Sequence, residues 1–271
     1  MTSRERFRTV LQLQEPDRIP VTDICFWTPT VQRWRAEGLP NDVTPAEYFH
    51  LDQIVLLGVD CSLQLETEVI EDTEEWVVER DRDGAVHKSW KHQYATSAEV
   101  EQLITSREIW NEYRDRLQPT ADRIAGASAQ RIAELHERGE FVVLHPNEPV
   151  WWVWRTLGMA RAFMAMAAEP DWFAEMVDTQ TEMQLALLRQ VLAQGEKPDG
   201  VWYFSDLCYR NGMFFSPQMY RALMLPWHRR IAQFCHDNDM FLLLHCCGDC
   251  RDLIELIIEA GFDAIEPLEA R

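Results

Sequence analysis

Apolar positions recur along this chain with two periods, and the alternation between them outlines a fold. Phe7, Val10 and Leu11 share one face of a helix over residues 3–13. Pro16 and Pro20 then punctuate the approach to an apolar run at 18–27 that predicts a first strand. Residues 45–57 carry a helical pattern and residues 58–71 an extended one. Residues 74–92 alternate about the turn sequence Asp81-Arg82-Asp83-Gly84, which predicts a β-hairpin inserted near 67–92 over one end of the domain. From 97 to 138 the pattern is helical and strongly charged, with Pro119 at a first-turn position and Gly139 where a helix should stop; a solvent-facing layer is expected there.

The remainder is more regular. A short apolar strand at 141–145 precedes helices at 150–167 and 171–193. A strand at 200–204, a helix at 217–236, a strand at 240–245, a helix at 249–260 and a strand at 263–266 follow. Short apolar strands alternating with amphipathic helices indicate an α/β fold whose parallel sheet is covered on both faces. The predicted strands lie near residues 20, 57, 143, 202, 242 and 264. A (β/α)8 barrel needs eight, so the expectation is either a single-domain TIM barrel over 1–271 that lacks its last two βα units, or an open doubly wound sheet.

Composition narrows the partners. Lys and Arg total 26 against 45 Asp and Glu, and a net charge of −19 repels a phosphate backbone, so nucleic acid is not an expected partner. With 46% hydrophobic residues and 11 Trp the chain can build a large core, yet no segment reaches the roughly 18 apolar residues of a membrane span. The first twenty residues lack the apolar stretch of a signal peptide, and a cytoplasmic location is expected. Seven cysteines, three of them at Cys246, Cys247 and Cys250, read as metal or thiol chemistry rather than a disulfide framework.

Functional groups of parallel α/β folds gather at the carboxyl ends of strands. Those positions hold Asp23 after the first predicted strand, then His145 and Glu148, then Asp206 and Cys208, then His245 to Gly248, and finally Glu266 and Glu269. His245 and Cys247 are two apart on an extended segment and emerge on one face, where a borderline-soft cation such as Zn²⁺ accepts both imidazole nitrogen and thiolate sulfur. Gly248 permits a sharp turn into the following helix, whose N-terminal dipole favours a thiolate at Cys247 or Cys250. The same spacing also allows a Cys247–Cys250 redox pair, and Cys246 should face the opposite side as packing. Asp206, His145 and Glu148 are candidates for orienting a substrate, with capping or loop roles as the plain alternative. Trp151, Trp152 and Trp154 could wall a ligand cavity or belong to the core.

The run LLLHCCGDCRDLIELIIEAGFDAIEPLE, residues 242–269, resembles the fifth-to-sixth strand region of the uroporphyrinogen-decarboxylase-like superfamily, and most of all its zinc-dependent methyltransferases that act with corrinoid proteins. RERFRTVLQLQEPDRIPV and GVWYFSDLCY are similar more loosely. The resemblance implies a TIM barrel with Zn²⁺ held by His245 and Cys247. Cobalamin-independent methionine synthases, similar in chemistry, add a glutamate after the next strand, which points to Glu269, with Glu266 as second choice. It further implies methyl transfer between a corrinoid-bound or O- or N-linked methyl group and a thiol or corrinoid acceptor, with Asp206, His145 and Glu148 at the same mouth.

Two departures stand out. The family's late cysteine has no counterpart before Arg271, and the decarboxylase's Arg-rich amino-terminal motif is replaced by DICFWTPTVQRW. Metal-free decarboxylation of a porphyrin-like substrate through Asp23 or Asp206 is the second enzymatic expectation. A non-catalytic barrel that associates or dimerises through an open sheet edge is the third.

Overall fold

A computed structural model describes residues 1–23, 26–92 and 96–268. In chain order its elements are α1 (Ser3–Leu11), α2 (Thr28–Glu37), α3 (Pro45–Tyr48), β1 (Ile54–Gly58), β2 (Glu68–Asp72), β3 (Trp76–Arg80), β4 (Val86–Trp90), β5 (Ala98–Glu101), α4 (Arg107–Tyr113) and α5 (Ala129–Glu137). Then come β6 (Phe141–His145), α6 (Pro149–Leu157), α7 (Met159–Ala168), α8 (Pro170–Leu192), β7 (Gly200–Phe204), β8 (Cys208–Tyr209), β9 (Gly212–Met213), α9 (Pro217–Leu223), α10 (Leu225–Asp237), β10 (Phe241–His245), α11 (Arg251–Ala260) and β11 (Ala264–Glu266). A five-stranded sheet runs in the order β1-β6-β7-β10-β11, and every pair in it is parallel. The α/β class read from the sequence therefore holds for the described residues.

Side chains alternate across these strands and build two cores. On one face Phe141, Val143, Trp202 and Leu243 are buried, with Phe7 and Leu11 of α1 packed on them at the amino ends of the strands. On the other face Val142, Leu144, Val201, Tyr203, Leu242 and Leu244 join the large cluster shared with α5, α8, α10 and α11. α1 is fixed by a capping box, with Thr2 and Glu5 satisfying each other's backbone donors, and by Arg4 and Arg8 on the buried carboxylate of Asp199.

Several expectations are corrected. The strand expected near residue 20 does not form among the described residues. Pro20 has no N–H to give a ladder, and Val21 spends its own N–H on the Asp52 side chain while its carbonyl accepts from Asp52 N–H. The helix expected over 45–57 is only the single turn α3; the apolar residues from Ile54 pair with β6 instead, because the ladder with β6 and the packing of β-branched and apolar side chains on the sheet suit them better than an exposed helix face. Residues 67–92 are not a lone hairpin: β2 to β5 form a four-stranded antiparallel sheet, although its β3–β4 turn does fall at 81–84.

The segment from 97 to 138 begins as strand β5 and buries Trp110, Ile132 and Leu135 completely, so it is not simply a solvent-facing layer. Two long predicted helices are each divided. Gly158, at φ 78° and ψ 140°, separates α6 from α7. Met224 leaves helical geometry just before Pro226, which separates α9 from α10. No described helix is long and apolar enough to cross a membrane.

Candidate functional site

The carboxyl end of β10 is held in place from both sides. Ser205 N–H donates to His245 O, and Cys246 N–H donates to Glu266 O. The chain then turns through Gly248, whose φ of +94° lies in the left-handed region and whose Cα faces the Tyr209 backbone so closely that a Cβ would stand 2.7 Å from Tyr209 O. Asp249 N–H donates to that same carbonyl at 2.9 Å. The loop after β10 is thereby fastened to the small β8–β9 hairpin, and α11 begins immediately afterwards with Cys250 at its N-cap.

Within this frame His245 is oriented through both ring nitrogens. Its Nδ1 lies 2.8 Å from Glu266 Oε1, which also accepts from Trp202 Nε1 at 3.1 Å. Its ring stacks on Phe204 with centroids 4.6 Å apart. An ionised carboxylate only accepts, so Nδ1 carries the proton and Nε2 presents its lone pair outward. Nε2 sits 3.4 Å from Cys247 Sγ and 3.8 Å from Asp206 Oδ1, and Asp206 Oδ1 accepts from Cys247 N–H at 3.0 Å. Nitrogen, sulfur and carboxylate oxygen from His245, Cys247 and Asp206 all lie within 4.8 Å of one another. With the remote nitrogen of the imidazole held by a carboxylate, this donor set fits Zn²⁺.

A second cluster lies on the opposite face of β10. The sulfurs of Cys208, Cys246 and Cys250 are also within 4.8 Å of one another, and all three residues are buried. Hydrogen bonds from Cys208 and then Cys246 lower the pKa of the Cys250 thiol below its ordinary value. The Cys246 thiol is pushed up by its hydrogen bonds to Cys208 and Cys250 and by burial. A cleft of about 980 Å³ opens over both groups, with Trp151, Asp206, Cys208, Tyr209, Cys247 and Cys250 among its walls.

The expected site residues divide accordingly. His245, Cys247 and Asp206 come together, whereas Glu269 lies outside the described residues. Glu266 sits behind His245, on the nitrogen away from Cys247. His145 lies on the same sheet face, its Nδ1 3.2 Å from Trp202 O, and the Trp202 ring touches both His145 and His245. Burial lowers the pKa of His145. Glu148 is not brought to this mouth. It is 0% exposed and caps α6 by accepting from Val150 N–H and Trp151 N–H, while Ser205 Oγ and His228 Nε2 occupy its remaining positions. Asp23 is exposed and outside any strand. Trp151 reaches the cleft; Trp152 and Trp154 belong to the core.

Cys250 groups with Cys208 and Cys246 rather than pairing with Cys247, and Cys246, expected as plain packing, is one corner of a thiol triangle. Cys208 is what the sequence reading missed in this respect. Its distance along the chain hides it; the pairing of β7 with β10, the Ser205–His245 and Asp206–Cys247 hydrogen bonds and the contact of Gly248 with Tyr209 together bring it beside Cys246.

Residues 155–267 match the family model of uroporphyrinogen decarboxylase (URO-D). Comparison with curated proteins finds no match. Among solved structures, a methyltransferase from Methanosarcina mazei is similar with a TM-score of 0.62 at 15% identity, over 98% of this chain and 75% of its own. The matched segment contains β7, β10, α11 and β11, so the similarity to the uroporphyrinogen-decarboxylase-like superfamily extends well beyond the motif around His245.

Proposed function

We propose that this protein is a methyltransferase of the uroporphyrinogen-decarboxylase-like superfamily, working at a zinc site in the cleft at the carboxyl ends of β7 and β10. The observation that carries this reading is the convergence of His245 Nε2, Cys247 Sγ and Asp206 on one point while Glu266 holds the far nitrogen of His245. The similarity of fold to a protein named a methyltransferase supports it. On this reading the five-stranded sheet is an arc of a (β/α)8 barrel, and the cleft stands at its catalytic end.

His245, Cys247 and Asp206 would hold the metal, with Glu269 retained from the sequence resemblance as the alternative carboxylate. Bound there, Zn²⁺ lowers the pKa of an acceptor thiol so that a thiolate nucleophile exists at neutral pH. The surrounding residues prepare the place for it. Glu266 and Phe204 fix the imidazole, Asp206 fixes the Cys247 backbone, and Trp151 with Met159 supplies apolar wall beside the polar end. In the transfer itself the bond between the methyl group and its donor breaks, a sulfur–methyl bond forms, and the thiol proton leaves to solvent. The donor is a corrinoid-bound methyl group presented by a partner protein, or an O- or N-linked methyl group of a small molecule.

Zinc content per chain, measured on wild type, His245→Ala, Cys247→Ala, Asp206→Ala and Glu269→Ala, tests the site. Transfer of methyl from methylcobalamin to a small thiol tests the chemistry. Near-stoichiometric zinc lost in the His245 and Cys247 variants is expected, and the two carboxylate variants identify the third ligand. Wild type without zinc, or a Cys247→Ala variant with unchanged zinc and transfer rate, sinks the proposal.

A further inference from the structure

We infer that Cys208, Cys246 and Cys250 form a second metal site, an all-sulfur one for a thiophilic cation such as Zn²⁺, on the opposite side of β10 from His245 and Cys247. The inference goes beyond the proposed methyl transfer and does not depend on it.

The three sulfurs come from two separate segments, the β8–β9 hairpin and the β10–α11 loop. All pairs lie within 4.8 Å. A tetrahedral ion with zinc–sulfur bonds of about 2.3 Å holds its sulfurs about 3.8 Å apart, so the triangle needs only a small contraction to close on a metal. Buried cysteines are common as small apolar residues, and each of these taken alone reads that way. Ordinary packing does not require three of them to meet, nor does it place two of them on a cleft wall. Cys208 and Cys250 line the cleft, which gives a cation a path inward and leaves a coordination position open to a further ligand.

The frame is set as well. The Gly248–Tyr209 contact holds the two segments together without any help from the sulfurs, so the triangle exists before a metal arrives. On binding, three metal–sulfur bonds form and the thiol protons still present leave to solvent. Thiolate donors select Zn²⁺ or Cu(I) over the oxygen-seeking cations.

The test is a Co²⁺ titration of the metal-free full chain under anaerobic, reducing conditions, read by the thiolate-to-cobalt charge-transfer absorption, whose strength grows with the number of coordinated sulfurs. The His245→Ala/Cys247→Ala chain is expected to bind one equivalent with the intensity of three thiolates, and adding Cys208→Ser or Cys250→Ser should abolish that absorption. No cobalt in the double variant, or a cobalt spectrum that survives both serine substitutions, overturns the inference. In wild type the total should be two equivalents carrying four thiolates, so a total intensity of one thiolate overturns it even where a variant fails to fold. A wild-type chain that binds only the one equivalent kept by the double variant leaves this site standing and removes the zinc reading of His245 and Cys247.

Discussion

Glu266 Oε1 and His245 Nδ1 lie 2.8 Å apart, and this contact decides which nitrogen of the imidazole faces the cleft. A carboxylate behind a metal-binding histidine fixes its tautomer and raises its basicity. Glu266→Gln should therefore weaken zinc binding by about 10- to 100-fold while leaving the fold intact, measured by competition with a chromophoric chelator. An unchanged affinity would show that Trp202 and Phe204 alone suffice to set the ring.

Gly248 sits where a side chain would collide with backbone on a neighbouring segment. Gly248→Ala should separate the β10–α11 loop from Tyr209, destabilise the chain by about 1–3 kcal/mol or more, and reduce cobalt binding at both sulfur-containing groups. Gly38 provides the comparison, since its φ is also positive but nothing lies within 4 Å of its added Cβ. Gly38→Ala should cost only the conformational strain of about 1 kcal/mol. Urea denaturation of the two variants separates collision from strain.

Asp83 in the β3–β4 turn accepts from Leu63 N–H at 2.8 Å and Trp152 Nε1 at 3.2 Å, both through Oδ1, and burial pushes its pKa up to about 7. The folded state then binds a proton that the unfolded chain releases near its ordinary value of 3.8. Its contribution to stability is present below pH 4 and is lost as pH rises toward 7, by about 4 kcal/mol at most. Asp83→Asn keeps the accepting oxygen and removes the titration. Its stability relative to wild type should rise between pH 4 and pH 7 and level off above, measured by denaturant titration across that range.

Glu148 separates structure from catalysis. Removing its carboxylate deprives α6 of its cap and leaves the fully buried His228 with Tyr220 alone. Glu148→Ala should cost about 3–5 kcal/mol of stability. Zinc content in the folded fraction should remain at the wild-type level. A stable variant that had lost metal would reverse that assignment.

The alternating strand–helix pattern from Phe141 onward was legible because each strand is short, apolar and bounded by a polar or glycine position; the structure keeps those strands and their order, while it divides two of the helices and adds the β8–β9 hairpin. Upstream the same reasoning misplaced elements where tertiary contacts override local pattern. Ile54 to Leu57 read equally well as the end of a helix until β6 lies beside them, and the exposed Ile19 and Val21 look like strand residues only while the Asp52 side chain is out of view. At the site, the local pair His245 and Cys247 could be read because both sit on one strand end. Asp206 was placed at the right strand end but without its relation to Cys247. Cys208 could not be connected to Cys246, since no short-range pattern records that two loops are stapled through a glycine. Glu148 misled because a carboxylate after a strand looks the same whether it faces a cleft or caps the next helix.

The anchoring of α1 bears on the order in which the molecule can assemble. Arg4 and Arg8 reach Asp199, and Arg8 also reaches Asp239, across separations of 195, 191 and 231 residues. A helix that precedes the sheet in the chain thus has docking carboxylates both near and far: Arg6 pairs with Asp52 just ahead of β1, while Asp199 and Asp239 lie after β6, and closing the longer loops costs more entropy before their contacts return anything. Until β7 and β10 are laid down, Phe7 and Leu11 have no complete surface to cover. The amino end of the sheet is therefore covered by the segment with the earliest position in the sequence, on a surface that strands from far along the chain complete.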